Sequence, residues 1–251
     1  MAGRDHKRGE AWVRARMRVL VEVAAGKGPK EEGRMKISML KTVMMAGLFG
    51  AGVVADEVKP DAAGWVTLFN GKDLSGWTNA DGGETKWGVE GGVMTGKGGS
   101  GDIWSKGRYG DFVLEVEFKT TGNSGVFFRT DKPKDNVQTG IEIQVENPGG
   151  PDKHSVGAIY DLVPPVKNAG KRDDWNKYVI TVKGPSITVE LNGEKVSVMD
   201  LDQWKEAGKN PDGSGNKYGK ALKDFRREGH IGFQDHGHKV WYRNVRLKPL
   251  P

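Results

Sequence analysis

The chain has 251 residues, no cysteine, and 39 Lys+Arg against 33 Asp+Glu, for a formal charge of +6. The composition excludes a disulfide framework and any cysteine-based metal or redox centre, so stability rests on a hydrophobic core. Residues 1–55 hold 11 of the basic and 5 of the acidic residues, leaving 28 of each beyond them. The basic charge therefore belongs to the N-terminal part and gives no footprint for nucleic acid or an anionic membrane.

Residues 1–34 are Arg-rich and read as an upstream extension, with Met35 as the start of the native frame. Met35-Lys36-Ile37-Ser38-Met39-Leu40-Lys41, the apolar run 42–54 and the small residue Ala55 form the basic, apolar and cleavage regions of a signal peptide. Cleavage near Ala55 would deliver a periplasmic or secreted protein. A retained N-terminal anchor is the alternative, although the run is short for a membrane span. Residues 56–63 read as a lead-in, and 64–251 as one domain with no membrane segment.

Within that domain, period-2 alternation punctuated by glycine dominates. Strands are predicted at 87–90 and 93–95 around Gly91-Gly92, then at 112–119, 125–130 and 140–146. Residues 178–183 and 187–191 flank a Gly184-Pro185 turn. Asn192-Gly193, both tolerant of positive φ, turns the chain into 195–198. The last strands, 229–233 and 239–247, flank Gln234-Asp235-His236-Gly237-His238. Helical stretches are expected only at 201–207 and 218–227, around the Gly/Asn/Asp/Lys-rich loop 208–219. Many short strands with glycine turns predict an all-β jelly-roll sandwich of two antiparallel sheets.

In Ile141-Glu142-Ile143-Gln144-Val145-Glu146, alternation places Glu142, Gln144 and Glu146 on one face and the aliphatics on the other. Val126-Phe127-Phe128-Arg129 would send Phe127 and Arg129 to a common side. If the two strands pair, Arg129, Glu142 and Gln144 share a face suited to a hydroxyl-rich ligand, with an ordinary solvated ion pair as the alternative. The aromatics Trp104, Tyr160, Trp175 and Trp241 add ring-stacking surfaces. Gln234, Asp235 and His236 form a second cluster, in which His236 could transfer protons or hold a metal; a plain polar turn fits as well. Asn123, in Gly122-Asn123-Ser124-Gly125, could touch a ligand or cap the bend. The chain carries no phosphate loop, serine-hydrolase elbow or zinc spacing.

Trp65-Val66-Thr67-Leu68-Phe69-Asn70-Gly71-Lys72-Asp73-Leu74-Ser75-Gly76-Trp77 resembles the opening of the 3-keto-disaccharide hydrolase domain. The resemblance continues through Asn123-Ser124-Gly125-Val126-Phe127-Phe128-Arg129, Gly140-Ile141-Glu142-Ile143-Gln144, Gly157-Ala158-Ile159-Tyr160-Asp161 and Trp175-Asn176. It closes with Gly232-Phe233-Gln234-Asp235-His236-Gly237 and the segment 240–246. Glu146 departs from the pattern, which has Asp there. The resemblance implies a concanavalin A-like jelly roll, export, and cleavage of glycosides oxidised at C3 by C2 proton abstraction, elimination and hydration.

In such a reaction His236 is a candidate base or metal ligand, and Glu142 is the alternative for either role. Arg129 and Gln144 would hold the substrate or its developing oxyanion, and Tyr160 or Asp235 would relay a proton. A divalent metal bridging the C2 and C3 oxygens would serve the stabilising step. Two other readings stay open. One is a retaining glycosidase built on Glu142 and Glu146, whose spacing of about 13 Å along a regular strand exceeds the ~5–5.5 Å that mechanism uses. The other is a non-catalytic, lectin-like carbohydrate-binding domain.

Overall fold

The computed structural model describes residues 60–251. The upstream extension, the signal peptide and most of the lead-in expected from the sequence lie outside the described residues. The chain from residue 60 onward folds into thirteen strands in two antiparallel sheets.

The strands are β1 (Val66–Thr67), β2 (Trp77–Thr78), β3 (Gly88–Glu90), β4 (Val93–Gly96), β5 (Ile103–Ser105), β6 (Phe112–Thr120) and β7 (Ser124–Thr130). They continue as β8 (Ile141–Val145), β9 (Asn176–Lys183), β10 (Ser186–Leu191), β11 (Glu194–Asp200), β12 (His230–Phe233) and β13 (Val240–Pro249). The large sheet runs β11-β10-β9-β6-β13-β4-β3, with β1 beside the far end of β13. The small sheet runs β2-β5-β12-β7-β8. Neighbours such as β6 and β13 are far apart in sequence, which gives the crossed connections of a concanavalin A-like jelly roll.

Alternation explains the core. In β6, Phe112, Leu114, Val116 and Phe118 are buried while the residues between them are half-buried. They face Val126 and Phe128 of β7 and Ile141, Ile143 and Val145 of β8, all within one hydrophobic cluster. Aromatic contacts thicken it: Phe233 stacks on Tyr242 at 4.0 Å, and Phe118 on Tyr178 at 4.7 Å. Each such ring contributes about 1.5–3 kcal/mol through removal from water. Asn192 and Gly193 adopt φ of 53° and 85°, the left-handed pair that a tight β10–β11 hairpin requires.

The helical expectations were too generous. Residues 201–207 supply only the 3-10 turn Leu201–Gln203, and 218–227 only Leu222–Asp224. Tyr218, Leu222 and Phe225 are buried at helix-like spacing, but they anchor an irregular strap rather than one helical face. Arg129 also departs from expectation. Its φ of 49° breaks the alternation where the β7–β12 register shifts, turning the side chain out of the face that carries Phe127.

Candidate active site

The outer face of the small sheet is laid out by strand register. Phe127 pairs with Glu142 on one side and Gly232 on the other, and Gly232 pairs with Trp104. Segment 157–160 adds to the free edge of β8, with Gln144 N donating to Ala158 O and Tyr160 N to Glu142 O. One row across the face therefore reads Tyr160, Glu142, Phe127, Gly232, Trp104. The adjacent row reads Ala158, Gln144, Gly125, Gln234, Asp102, since Gly125 pairs with Gln144 and Phe233 with Ile103. Asn123 and Glu146 border that second row; both are contacted by the Gln144 amide.

Two glycines shape the surface. A Cβ at Gly232 would collide with the indole of Trp104, and a Cβ at Gly125 with the carboxylate of Glu142. Trp104 therefore lies across β12 and against Phe127, with ring centroids 5.6 Å apart, while Glu142 leans over β7. β8 is also held from behind, because Tyr178 of the large sheet donates through its hydroxyl to Gln144 O at 2.5 Å.

Glu142 is 3 % exposed, an environment in which a carboxylate needs a counter-charge. Lys217 supplies it, with Nζ 3.1 Å from Oε2. The ammonium also lies 4.4 Å above the Tyr160 ring and 5.4 Å from that of Tyr218. Its loop is latched at both sides, by Lys217 N to Asp161 Oδ2 at 2.6 Å and by Gln138 Nε2 to Lys217 O at 2.8 Å. Burial raises the Glu142 pKa; Lys217 opposes the rise, Asp102 adds to it, and His236 opposes it.

Burial likewise raises Asp102, although Asp235 N donates to Oδ1 and Asn136 Nδ2 to Oδ2. Tyr160 is pushed up by burial and then by the negative charges of Glu142, Asp161 and Glu146, which keeps it a neutral O–H donor. The face thus carries a buried and a half-buried carboxyl in one another's field, a lysine against the first of them and a phenol alongside.

The other sequence-derived candidates separate. His236 is exposed at the rim, within the electrostatic reach of both Glu142 and Asp102. Asp235 is engaged as a clamp: its carboxylate accepts from Gly99 N at 3.1 Å and Ser100 N at 2.6 Å, anchoring the β4–β5 loop. Gln234 lies in the second row. Trp104 is fully covered, so it is a wall beneath the face and offers no open stacking platform.

Arg129 is elsewhere. Its guanidinium bonds Asp111 Oδ1 at 2.6 Å, Gly184 O at 2.7 Å and Gly110 O at 3.1 Å, tying β7 to the large sheet. It cannot hold substrate beside Glu142. Trp175 immediately precedes β9 of the large sheet, and Arg243, paired with Glu117, lies 3.9 Å over its ring.

Gln144 faces the site with a different atom from the one an oxyanion needs. Nε2, its only donor group, is taken by Asn123 Oδ1 at 3.1 Å and Glu146 Oε2 at 3.3 Å, so Oε1 is the free atom. Asp102 and Lys217 were missed in the sequence. A lone Asp before a short strand and a Lys in a polar loop have no periodic signature.

Among the described residues no three His, Cys, Asp or Glu side chains group as a metal-binding set. The ammonium on Glu142 Oε2 further opposes a cation there. The donor set does not fit a divalent metal held by His236 and Glu142. Glu142 lies in β8 and Glu146 one residue past its end, and the β7–β8 pairing has no register shift that would draw the two carboxyls together. Two open grooves of about 450 and 490 Å³ lie off this face. The first is lined by Glu115, Glu117 and Arg246, carboxylates and cations already paired with one another or with neighbours on the large sheet.

Comparison with known proteins agrees with this architecture. Residues 64–248 match the 3-keto-alpha-glucoside-1,2-lyase-like domain. The chain is 32 % identical over 235 residues to a 3-keto-disaccharide hydrolase of Bacteroides thetaiotaomicron, covering 77 % of this chain and 81 % of that protein. Two crystal structures of candidate glycosyl hydrolases from Parabacteroides distasonis also resemble it. One is 33 % identical with a TM-score of 0.66, covering 74 % of this chain and 99 % of the other. The second is 31 % identical with a TM-score of 0.66, covering 76 % and 95 %. Fold, site and relatives together define a carbohydrate-active, glycoside-cleaving enzyme. The chain belongs to the 3-keto-alpha-glucoside-1,2-lyase-like domain family.

Proposed function

We propose that this enzyme cleaves glycosides whose sugar carries a ketone at C3, with Glu142 as the general base. The observation that carries the reading is a buried carboxyl of raised pKa, paired with Lys217 on a polar sheet face, in a chain of this family. A base tuned upward toward neutral pH is better matched to proton abstraction than an ordinary carboxylate.

The ketone acidifies the C2 hydrogen. Glu142 takes that proton, and the C–H electron pair becomes an enolate with its charge on O3. As Glu142 is neutralised, the Lys217 ammonium loses its partner and is free to oppose the new oxyanion. Collapse of the enolate restores the ketone, forms the C1–C2 double bond and breaks the bond from C1 to the leaving oxygen. Tyr160, beside Glu142 in the same row, protonates that oxygen. Water then adds its hydroxyl to C1 while its remaining proton restores Tyr160, and Glu142 returns its proton to C2, so the net change is hydrolysis. His236 lies exposed at the rim of this face. The basic, apolar and small-residue regions of 35–55 support an exported enzyme released near Ala55.

The test is incubation with matched native and 3-keto disaccharides in D2O. Cleavage of the keto sugar alone, with deuterium entering at C2, is expected. Glu142→Gln should lower turnover about 10²–10⁴-fold without loss of fold. Hydrolysis of the unoxidised sugar at a comparable rate, or an active Glu142→Gln enzyme, would sink the proposal.

A further inference from the structure

We infer that Gln144 and Gln234, which flank Gly125 beside the Glu142 carboxylate, form a hydroxyl-reading subsite, in which Oε1 of Gln144 and Oε1 of Gln234 each accept a hydrogen bond from a hydroxyl of a bound pyranose. This rests on the reading that the small-sheet face binds a glycoside, and it adds what part of the sugar is read and by which atoms.

The register builds the subsite. Gln144 pairs with Gly125 on one side, and Gln234 N donates to Gly125 O at 3.0 Å on the other. Two strand spacings, about 10 Å in all, therefore separate the two glutamine backbones. The residue between them has no side chain. Glu142 leans into that gap from the neighbouring row, which sets its carboxylate beside both glutamines.

The orientation of the Gln144 amide is fixed by chemistry. Glu146 can only accept, so the amide nitrogen must face Glu146 and Asn123. Oε1 diverges from that nitrogen by the ordinary amide angle and is turned away from this border. Gln144 is 1 % exposed, and neither its Oε1 nor the buried Oε1 of Gln234 has a hydrogen-bond partner among the described residues. Gln234 is also pinned through its backbone, since Ser124 Oγ donates to its carbonyl at 2.7 Å. Leaving two buried acceptors unpaired is costly unless a ligand supplies donors.

Acceptors alone select for a group with a hydrogen to give. A hydroxyl qualifies; a ketone, an ether or an O-methyl group in the same place does not. The two amides therefore read the hydroxyls that a 3-keto sugar retains. The ketone must face a donor such as Lys217. A hard cation is the competing ligand for an oxygen-lined pocket. Here the ammonium already seated on Glu142 opposes it.

The experiment is titration calorimetry of the full chain with methyl α-glucoside and each of its monodeoxy analogues, in chelator and then in added Mg²⁺ or Ca²⁺. Removal of a hydroxyl read by either amide should weaken wild-type binding about ten- to hundredfold. With the 3-keto series, the same deletions should raise KM more than they lower kcat. In Gln144→Met and Gln234→Met, deletion of the hydroxyl each amide reads should cost less than about threefold. A flat wild-type series, an undiminished penalty in both variants, or sugar binding that requires a divalent cation would overturn the subsite. Should either variant fail to fold, the wild-type series decides. Deoxy penalties without turnover of any 3-keto sugar would fault the proposed chemistry and leave the subsite. Turnover with a flat deoxy series would do the reverse.

Discussion

Gly125 lies directly beneath the Glu142 carboxylate. A methyl group added at 125 would sit 3.0 Å from the Glu142 Cγ and 3.1 Å from its Cδ, closer still to Oε1. The glycine is in an extended strand and has no backbone reason to be there. Its absent side chain is what lets the acid lean across β7. Gly125→Ala should therefore displace the carboxyl, cost about 1–3 kcal/mol, and lower kcat/KM at least about tenfold. Thermal unfolding and steady-state kinetics check both parts, and wild-type turnover in this variant would move the chemistry away from Glu142.

Lys217→Met removes the counter-charge of a buried carboxylate. The Glu142 pKa, already raised, should rise further, so the acid limb of kcat/KM moves to higher pH. A folded pKa above the unfolded value of about 4.3 means stability is lost as pH rises through the folded pKa. The variant should be most destabilised near pH 8, by about 1–3 kcal/mol, and should recover toward pH 4. Melting curves across that range read the slope, and a deficit that grows on acidification would contradict the assignment.

Asp102, half-buried, is the second carboxyl whose pKa is raised, chiefly by desolvation. The same sign applies: its cost to the fold is absent below about pH 3.9 and appears as pH rises through the folded pKa. Asp102→Asn can still accept from Asp235 N, so it should match or exceed wild-type stability at pH 8, with the advantage fading toward pH 4. Glu142 would also be relieved of a neighbouring negative charge, and the acid limb of activity should shift to lower pH. A variant less stable than wild type at pH 8 would show that the hydrogen bonds outweigh desolvation.

Arg129→Lys separates scaffold from site. A lysine cannot reproduce the fork that joins Asp111, Gly110 and Gly184. The expected loss is about 2–4 kcal/mol, while kcat/KM of the folded protein stays within about twofold. A large kinetic defect with an unchanged melting temperature would return Arg129 to the site.

β6 and the β10–β11 hairpin were legible because burial on one face imposes the alternation, while β8 alternates in residue type although both of its faces are buried. The short strands β1, β2 and β5 were not, since two or three residues hold no period. The shared face of Glu142 and Gln144 was readable from spacing. The removal of Arg129 was not, because one left-handed residue at a bulge reverses a parity that the sequence does not mark. Lys217 was hidden for a related reason. Its position depends on latches to Gln138 and Asp161, far away in the chain, and its polar loop looks like any solvated one. Trp175 misled because aromatic character says nothing about which sheet a ring will face.

Segment 157–160 lies along the outer edge of β8, where Ala158 O accepts from Gln144 N and Tyr160 N donates to Glu142 O. The strand that bears the proposed base therefore offers little free backbone edge to another chain. Strand addition, the ordinary route by which exposed edges recruit copies of themselves or extended peptides, is obstructed at the place where it would bury the catalytic face. The small sheet thus closes that side with its own chain.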